Sequence, residues 1–138
     1  DKPFTLLNYL EGTRFTQEKH AKQGSPYTHL LKPRAGGLAL AINALGDDID
    51  GILDMTIVYP DGVPTYGDLW KGNITRLGVD VRYIKIPDEL FAGIKNGGYE
   101  EDEAIKAKMF DWVEQIWCQK DDLITTMLAD FADNPQSK

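Results

Sequence analysis

The feature that most limits the fold lies toward the C-terminal end. From Glu101 to about Ala132, the apolar residues Ile105, Met109, Trp112, Ile116, Leu123 and Met127 recur at spacings near 3.5, which is one helical face. Lys120 and its neighbours Asp121 and Asp122 interrupt that stripe, so two helices or a kink are both open. Trp112, Trp117 and Phe131 could face a membrane, but the polar side of the segment is acidic. Interfacial helices carry Lys and Arg there, which favours core packing.

The remaining elements alternate in type. Phe4-Thr-Leu-Leu-Asn-Tyr-Leu10 is a short, mostly apolar run that reads as a buried strand. It follows Asp1, Lys2 and Pro3 almost at once, as though cut from a longer chain. Residues 15 to 32 are polar around Gly24-Ser25-Pro26 and read as a long surface loop. Pro33 suits the first turn of a helix with Leu38, Ala39, Leu40, Ile42 and Leu45 as its apolar body, stopped by Gly46. A strand is expected from Gly51 to Tyr59, closed by the turn Pro60-Asp61-Gly62. Residues 60 to 73 read as a loop with one helical turn. Leu77, Val79 and Val81 alternate with Gly78, Asp80 and Arg82 as a strand with one drier face. Ile84 and Ile86 have the opposite parity, so a bulge or a second buried face is expected there. Pro87-Asp88-Glu89 opens a short helix that ends before Asn96-Gly97-Gly98. This order indicates an α/β protein, a single domain over its 138 residues.

Bulk properties exclude several function classes. No run approaches the roughly 18 apolar residues of a spanning helix, so the chain itself is expected to be soluble. Cys118 has no second cysteine to pair with. Residues 1 to 45 hold six Lys or Arg against three Asp or Glu, while the remainder holds nine against nineteen. A chain of net charge -7 is a poor nucleic-acid binder, because phosphate contacts need a basic footprint. The basic first third is where an anionic small ligand would be tolerated.

Two clusters bear on function. Glu11-Gly12-Thr13-Arg14 places a carboxylate, a glycine, a hydroxyl and a guanidinium directly after the expected first strand. Ligand sites of α/β proteins lie at such strand ends, and Arg14 offers a planar fork matched to phosphate. Thr13 can donate to the same oxygens, and Glu11 can orient Arg14 or accept from a ligand hydroxyl. A structural turn closed by a salt bridge explains the same residues, and spacing alone leans that way. Lys32-Pro33-Arg34-Ala35-Gly36-Gly37 puts two cations at a helix N-terminus, where anions are favoured. Close helix packing at the glycines, with solvated cations, is the plainer alternative. His20 and His29 lie in the polar loop without ligand-spaced partners and read as surface residues, so no metal site is expected. No phosphate-loop or dinucleotide fingerprint is present.

Taken in order, these segments resemble the glycerolipid acyltransferase family, whose members acylate lysophosphatidic acid and related lysophospholipids. The segment "EGTRFT", with Leu10 where many members have Pro, looks like the family's third motif, and Lys19-His20 matches the pair that follows it in one branch. "LLKPRAGGLALAINAL" (30–45) is similar to that branch's next helix. "ILDMTIVYPDG" (52–62) stands at the fourth motif, and "WVEQIWCQKDDLI" (112–124) is similar to the closing Trp and Lys-Asp pattern. The resemblance implies that Glu11, Gly12, Thr13 and Arg14 contact the acceptor phosphate. Lys32 and Arg34 are added from local charge as secondary anion contacts.

The family's general base is the His of a His-x-x-x-x-Asp motif. Five residues after His20 comes Ser25, and five after His29 comes Arg34, so neither histidine supplies it. The expectation is therefore the C-terminal portion of a glycerol-3-phosphate acyltransferase-like sheet with helices packed on it, inactive alone and with no catalytic residue in this chain. The whole enzyme would use acyl-CoA or an acyl carrier protein thioester as donor. It would be membrane-associated through its N-terminal part, on the cytoplasmic face of the inner membrane if bacterial. The alternative is a non-catalytic anion- or lipid-binding α/β module. An uncovered sheet face or edge would make the chain self-associate.

Overall fold

A computed structural model describes residues 5–49 and 51–135. Among these residues the fold is mixed α/β: six α-helices and one two-stranded antiparallel sheet, ending in a long helix. The helices are α1 (Gln17–Gln23), α2 (Ala35–Leu45), α3 (Tyr66–Lys71), α4 (Asp88–Lys95), α5 (Gly98–Glu101) and α6 (Glu103–Asp133). The strands are β1 (Gly51–Val58) and β2 (Gly78–Lys85), paired from Gly51↔Lys85 to Val58↔Gly78.

The C-terminal stripe forms one 31-residue helix, α6, and not two. Lys120 does not break it, because its ammonium turns onto β1 and finds Asp54 Oδ1 at 2.6 Å and the Met55 carbonyl at 2.9 Å. Met109, Val113, Ile116, Trp117 and Ile124 are its buried residues. The first half of α6 closes a core with Ala35, Leu38, Ala39 and Ile42 of α2 and with Leu90 and Ile94 of α4. Its second half packs on Tyr27, Leu30 and Val58. Leu10 and Ile52 touch both clusters, which joins them into one interior. Trp117 is buried, and Trp112 and Phe131 pack against these clusters, as core packing of the stripe requires.

Four expectations are corrected. The run Phe4–Leu10 is not a strand over its described residues, and Leu6, Leu7 and Tyr9 are exposed. An extended segment needs a neighbour for its N–H and C=O groups, and no described strand flanks this one. The supposed surface loop at 15–32 contains α1, capped by the Thr16 hydroxyl at one end and left-handed Gly24 at the other. Its tail is not superficial, since Tyr27, Leu30 and Leu31 are buried. The β2 ladder is regular, so Ile84 and Ile86 mark the buried face and not a bulge, and Val79 and Val81 do not form the drier face. Val79 and Val81 face outward while Ile86 is buried, because the inner face accommodates Asp54, Arg82 and Lys120 as an ion cluster. Finally, the helical pattern expected from Glu101 is preceded by a separate short helix, α5, which starts at Gly98 after left-handed Gly97.

The outer face of the hairpin is apolar. Leu53, Met55 and Ile57 stand opposite Tyr83, Val81 and Val79, and all six are exposed. Among the described residues, no helix is long and apolar enough to cross a membrane.

Candidate functional site

The Glu11–Arg14 segment is a tight turn held from both sides. The Gly12 N–H donates to the Tyr9 carbonyl at 2.9 Å, and Gly12 has φ of 67°, a left-handed conformation that costs other residues energy. On one flank, the Arg34 N–H donates to the Leu10 carbonyl at 2.7 Å. On the other, the Lys19 ammonium donates to Thr13 Oγ1 at 2.7 Å and to the Arg14 carbonyl at 3.2 Å. Gly12→Ala should lower stability by about 1–2 kcal/mol through its backbone conformation; a thermal melt with an unchanged midpoint would contradict that strain.

The salt-bridge reading of this turn fails. Among the described residues Glu11 does not pair with Arg14, and its carboxylate is half-buried. Burial pushes the Glu11 carboxyl above its ordinary value, against the Leu31 hydrogen bond and the Lys120 charge. Arg14 instead lies over the ring of Tyr66, 4.5 Å from its centroid, and donates to the Tyr66 hydroxyl. Among the described residues no carboxylate pairs with Arg14 or Arg34. The Arg34 side chain packs beside Gly12, where a methyl group built on that glycine would stand 3.6 Å from a guanidinium nitrogen. Two arginines without carboxylate partners among the described residues thus flank one glycine turn.

The support comes from α6. Trp117 donates its indole N–H to the Leu31 carbonyl at 3.0 Å. Asp121 accepts the N–H groups of Thr28 and His29, each at 2.7 Å. Segment 27–34 is therefore clamped between α6 and the Glu11 turn. A methyl group built on Gly36 would stand 3.4 Å from the Tyr99 hydroxyl and one on Gly37 3.7 Å from the Asn8 amide, ordinary contacts, so close packing does not require glycine at either position. Lys32 is exposed, with its N–H donating to the Gln23 side chain at 3.1 Å.

The two histidines have structural partners and are less superficial than expected. His20 Nε2 is 2.6 Å from the Tyr27 carbonyl and His29 Nε2 is 3.0 Å from Thr125 Oγ1. Among the described residues no group of three or more His, Cys, Asp or Glu could hold a metal ion. For two site residues nothing in the sequence signalled their place beside the turn. Tyr66 lies 52 positions from Arg14 and carries no motif of its own. Lys19 was visible as half of the Lys-His pair, but its place under Thr13 was not.

The chain is similar to acyltransferases. It is 26% identical, over 98% of its length, to "2-acyl-1-lysophosphatidylinositol acyltransferase" of Saccharomyces cerevisiae, covering 36% of that protein. It is 27% identical, over 93% of its length, to "1-acyl-sn-glycerol-3-phosphate acyltransferase 2" of Arabidopsis thaliana, covering 32% of that one. The chain thus spans about a third of the length of these curated relatives. They support an acyltransferase family for it, one of lipid metabolism. No protein-family model matches, and no solved structure does.

Proposed function

We propose that the chain is the acceptor-phosphate portion of a lysophospholipid acyltransferase of the 1-acylglycerol-3-phosphate type. The observation that carries this is the charge-unpaired Arg14 beside Gly12, with Arg34 flanking the same turn. A phosphate dianion takes two parallel N–H bonds from the Arg14 fork. Thr13 already accepts from Lys19, so its own hydroxyl hydrogen is free for a phosphate oxygen. Gly12 removes the side chain that would crowd that approach. Glu11, half-buried and with its carboxyl pushed above the ordinary value by that burial, shapes the base of the pocket. Arg34 is the second cation on the bound phosphate, and exposed Lys32 adds long-range attraction.

In the whole enzyme the acceptor hydroxyl attacks the thioester carbonyl of the acyl donor, acyl-CoA or an acyl carrier protein. Its proton passes to a His base, and the thiol leaves. That base belongs to a His-x-x-x-x-Asp segment outside this chain, so the chain alone should transfer no acyl group. The length of the relatives supports this division, and the hairpin would then be one edge of a larger sheet. The test is the reading frame upstream of Asp1. Expressed together with a His-x-x-x-x-Asp segment, the longer protein should acylate lysophosphatidic acid. A start codon immediately before Asp1 would sink the proposal.

The uncovered hairpin face also predicts association of the isolated chain through Leu53, Met55, Ile57, Val79, Val81 and Tyr83. Light scattering should give a mass above 15.5 kDa that rises with concentration. A clean monomer at high concentration would contradict it.

A further inference from the structure

Helix α3 is built with its apolar side outward. Its polar Asp68 is engaged in the N-terminal cap, where it accepts the Thr65 N–H at 2.8 Å and donates its own N–H to Thr65 Oγ1. Tyr66, Leu69 and Trp70, at positions i, i+3 and i+4, share one helical face. They are 65%, 62% and 87% exposed, and Val63 just before them is 78% exposed. Single exposed apolar residues need no explanation, but four in eight residues form a contact surface.

Two observations say what the surface meets. The ring of Tyr66 carries the Arg14 guanidinium, so the apolar face and the candidate phosphate ligand are one continuous feature. Two cations stand beside the face, Arg14 on the Tyr66 ring and Lys71 in the last turn of α3, whereas residues 46 to 138 hold nine Lys or Arg against nineteen Asp or Glu. Trp and Tyr settle at the boundary between headgroups and acyl chains, and Lys and Arg beside them favour anionic lipids.

We propose that Val63, Leu69 and Trp70 dock the protein onto an anionic lipid surface, with Arg14 held at headgroup depth. The assignment of Arg14 to the lipid phosphate rests on the function proposed above. The acidic bulk of the chain is repelled by the same surface, which fixes the docking orientation.

Sedimentation with vesicles tests it, using phosphatidylcholine alone and phosphatidylcholine mixed with phosphatidylglycerol, against a spin without lipid. The chain should pellet with the mixed vesicles, and brominated acyl chains should quench its fluorescence in a manner lost in Trp70→Phe. The variant Leu69→Ser/Trp70→Ser, folded by circular dichroism, should lose vesicle partitioning by about tenfold or more while binding glycerol 3-phosphate as before. Wild-type chain left in the supernatant, or a double variant that pellets equally, would overturn the docking surface. Pelleting equal on both vesicle types would overturn its anionic preference, and capture by a protein partner in place of vesicles would reassign the face. If Leu69 and Trp70 control pelleting but glycerol 3-phosphate does not bind, the docking surface stands and the acceptor reading alone falls.

Discussion

Asp54→Ala is expected to destabilise the fold by about 3–5 kcal/mol, the range for removing one member of a buried ion pair. Asp54 receives Lys120 from α6 at 2.6 Å and Arg82 from β2 at 2.7 Å, so one carboxylate joins three elements. The side chains of Asp54 and Lys120 are only 10% and 12% exposed, which limits solvent screening. The substitution leaves two cations facing each other on the inner face of the hairpin. Lys120→Met should cost less, because Arg82 still neutralises Asp54 and methionine can fill the space. Urea denaturation of both variants measures the difference; equal and small losses would contradict the cluster's role.

The same cluster sets an acid sensitivity. Burial alone would raise the Asp54 carboxyl, but hydrogen bonds and charge from Lys120 and Arg82 outweigh it and hold the group below its ordinary value of 3.8. Its stabilisation is therefore present above that ordinary value and is lost as pH falls through the depressed one. Glu11 acts in the opposite sense. Its raised carboxyl favours the folded state when protonated, so its contribution declines as pH rises from 4.5 through the folded value. Denaturant midpoints followed from neutral to acid pH should fall in the wild type, and fall less steeply in Asp54→Ala.

Arg14→Ala carries the largest expected functional effect. On the proposed function, in the longer protein it should lower kcat/KM for lysophosphatidic acid by about 10–100-fold, the loss of one or two charge-assisted hydrogen bonds. Arg14→Lys should recover only part of this, because an ammonium neither forks around phosphate nor stacks on Tyr66 as a guanidinium does. Tyr66→Phe keeps the ring beneath the guanidinium and loses only the hydroxyl, so a smaller decrease is expected. Stability should change within about 0.5 kcal/mol, since Arg14 is exposed. A full-length Arg14→Ala enzyme with unaltered kcat/KM would remove Arg14 from the acceptor site.

What the sequence made legible was periodicity and punctuation. The α2 body, both strands, α4 and the long α6 stripe were readable because apolar period and glycine or proline stops agree there. The missed α1 had its signals in the local sequence, the Thr16 cap and Gly24, whereas in the other errors tertiary partners override local pattern. Val79 and Val81 look like a buried face, yet the ion cluster around Asp54 claims the inside and turns them out. Lys120 looks like a helix breaker only until Asp54 is placed opposite it. Phe4–Leu10 has strand composition, but a strand also needs a neighbour. At the site, the residue types in Glu11–Arg14 were visible, while the choice between salt bridge and free arginine depended on Leu31, Lys120 and Tyr66. None of those three lies within the motif.

The central claim is that the Gly12 turn and its two arginines hold a glycerol-linked phosphate. Nuclear magnetic resonance titration of the chain with sn-glycerol 3-phosphate, and with glycerol as control, tests it most directly. Saturable shifts are expected at the Gly12, Thr13 and Arg14 amides and at the Arg34 guanidinium, with Kd on the order of millimolar. Glycerol should leave those signals in place, and Arg14→Ala should abolish the response. Shifts of equal size with glycerol, or an Arg14→Ala variant that titrates like wild type, would contradict it.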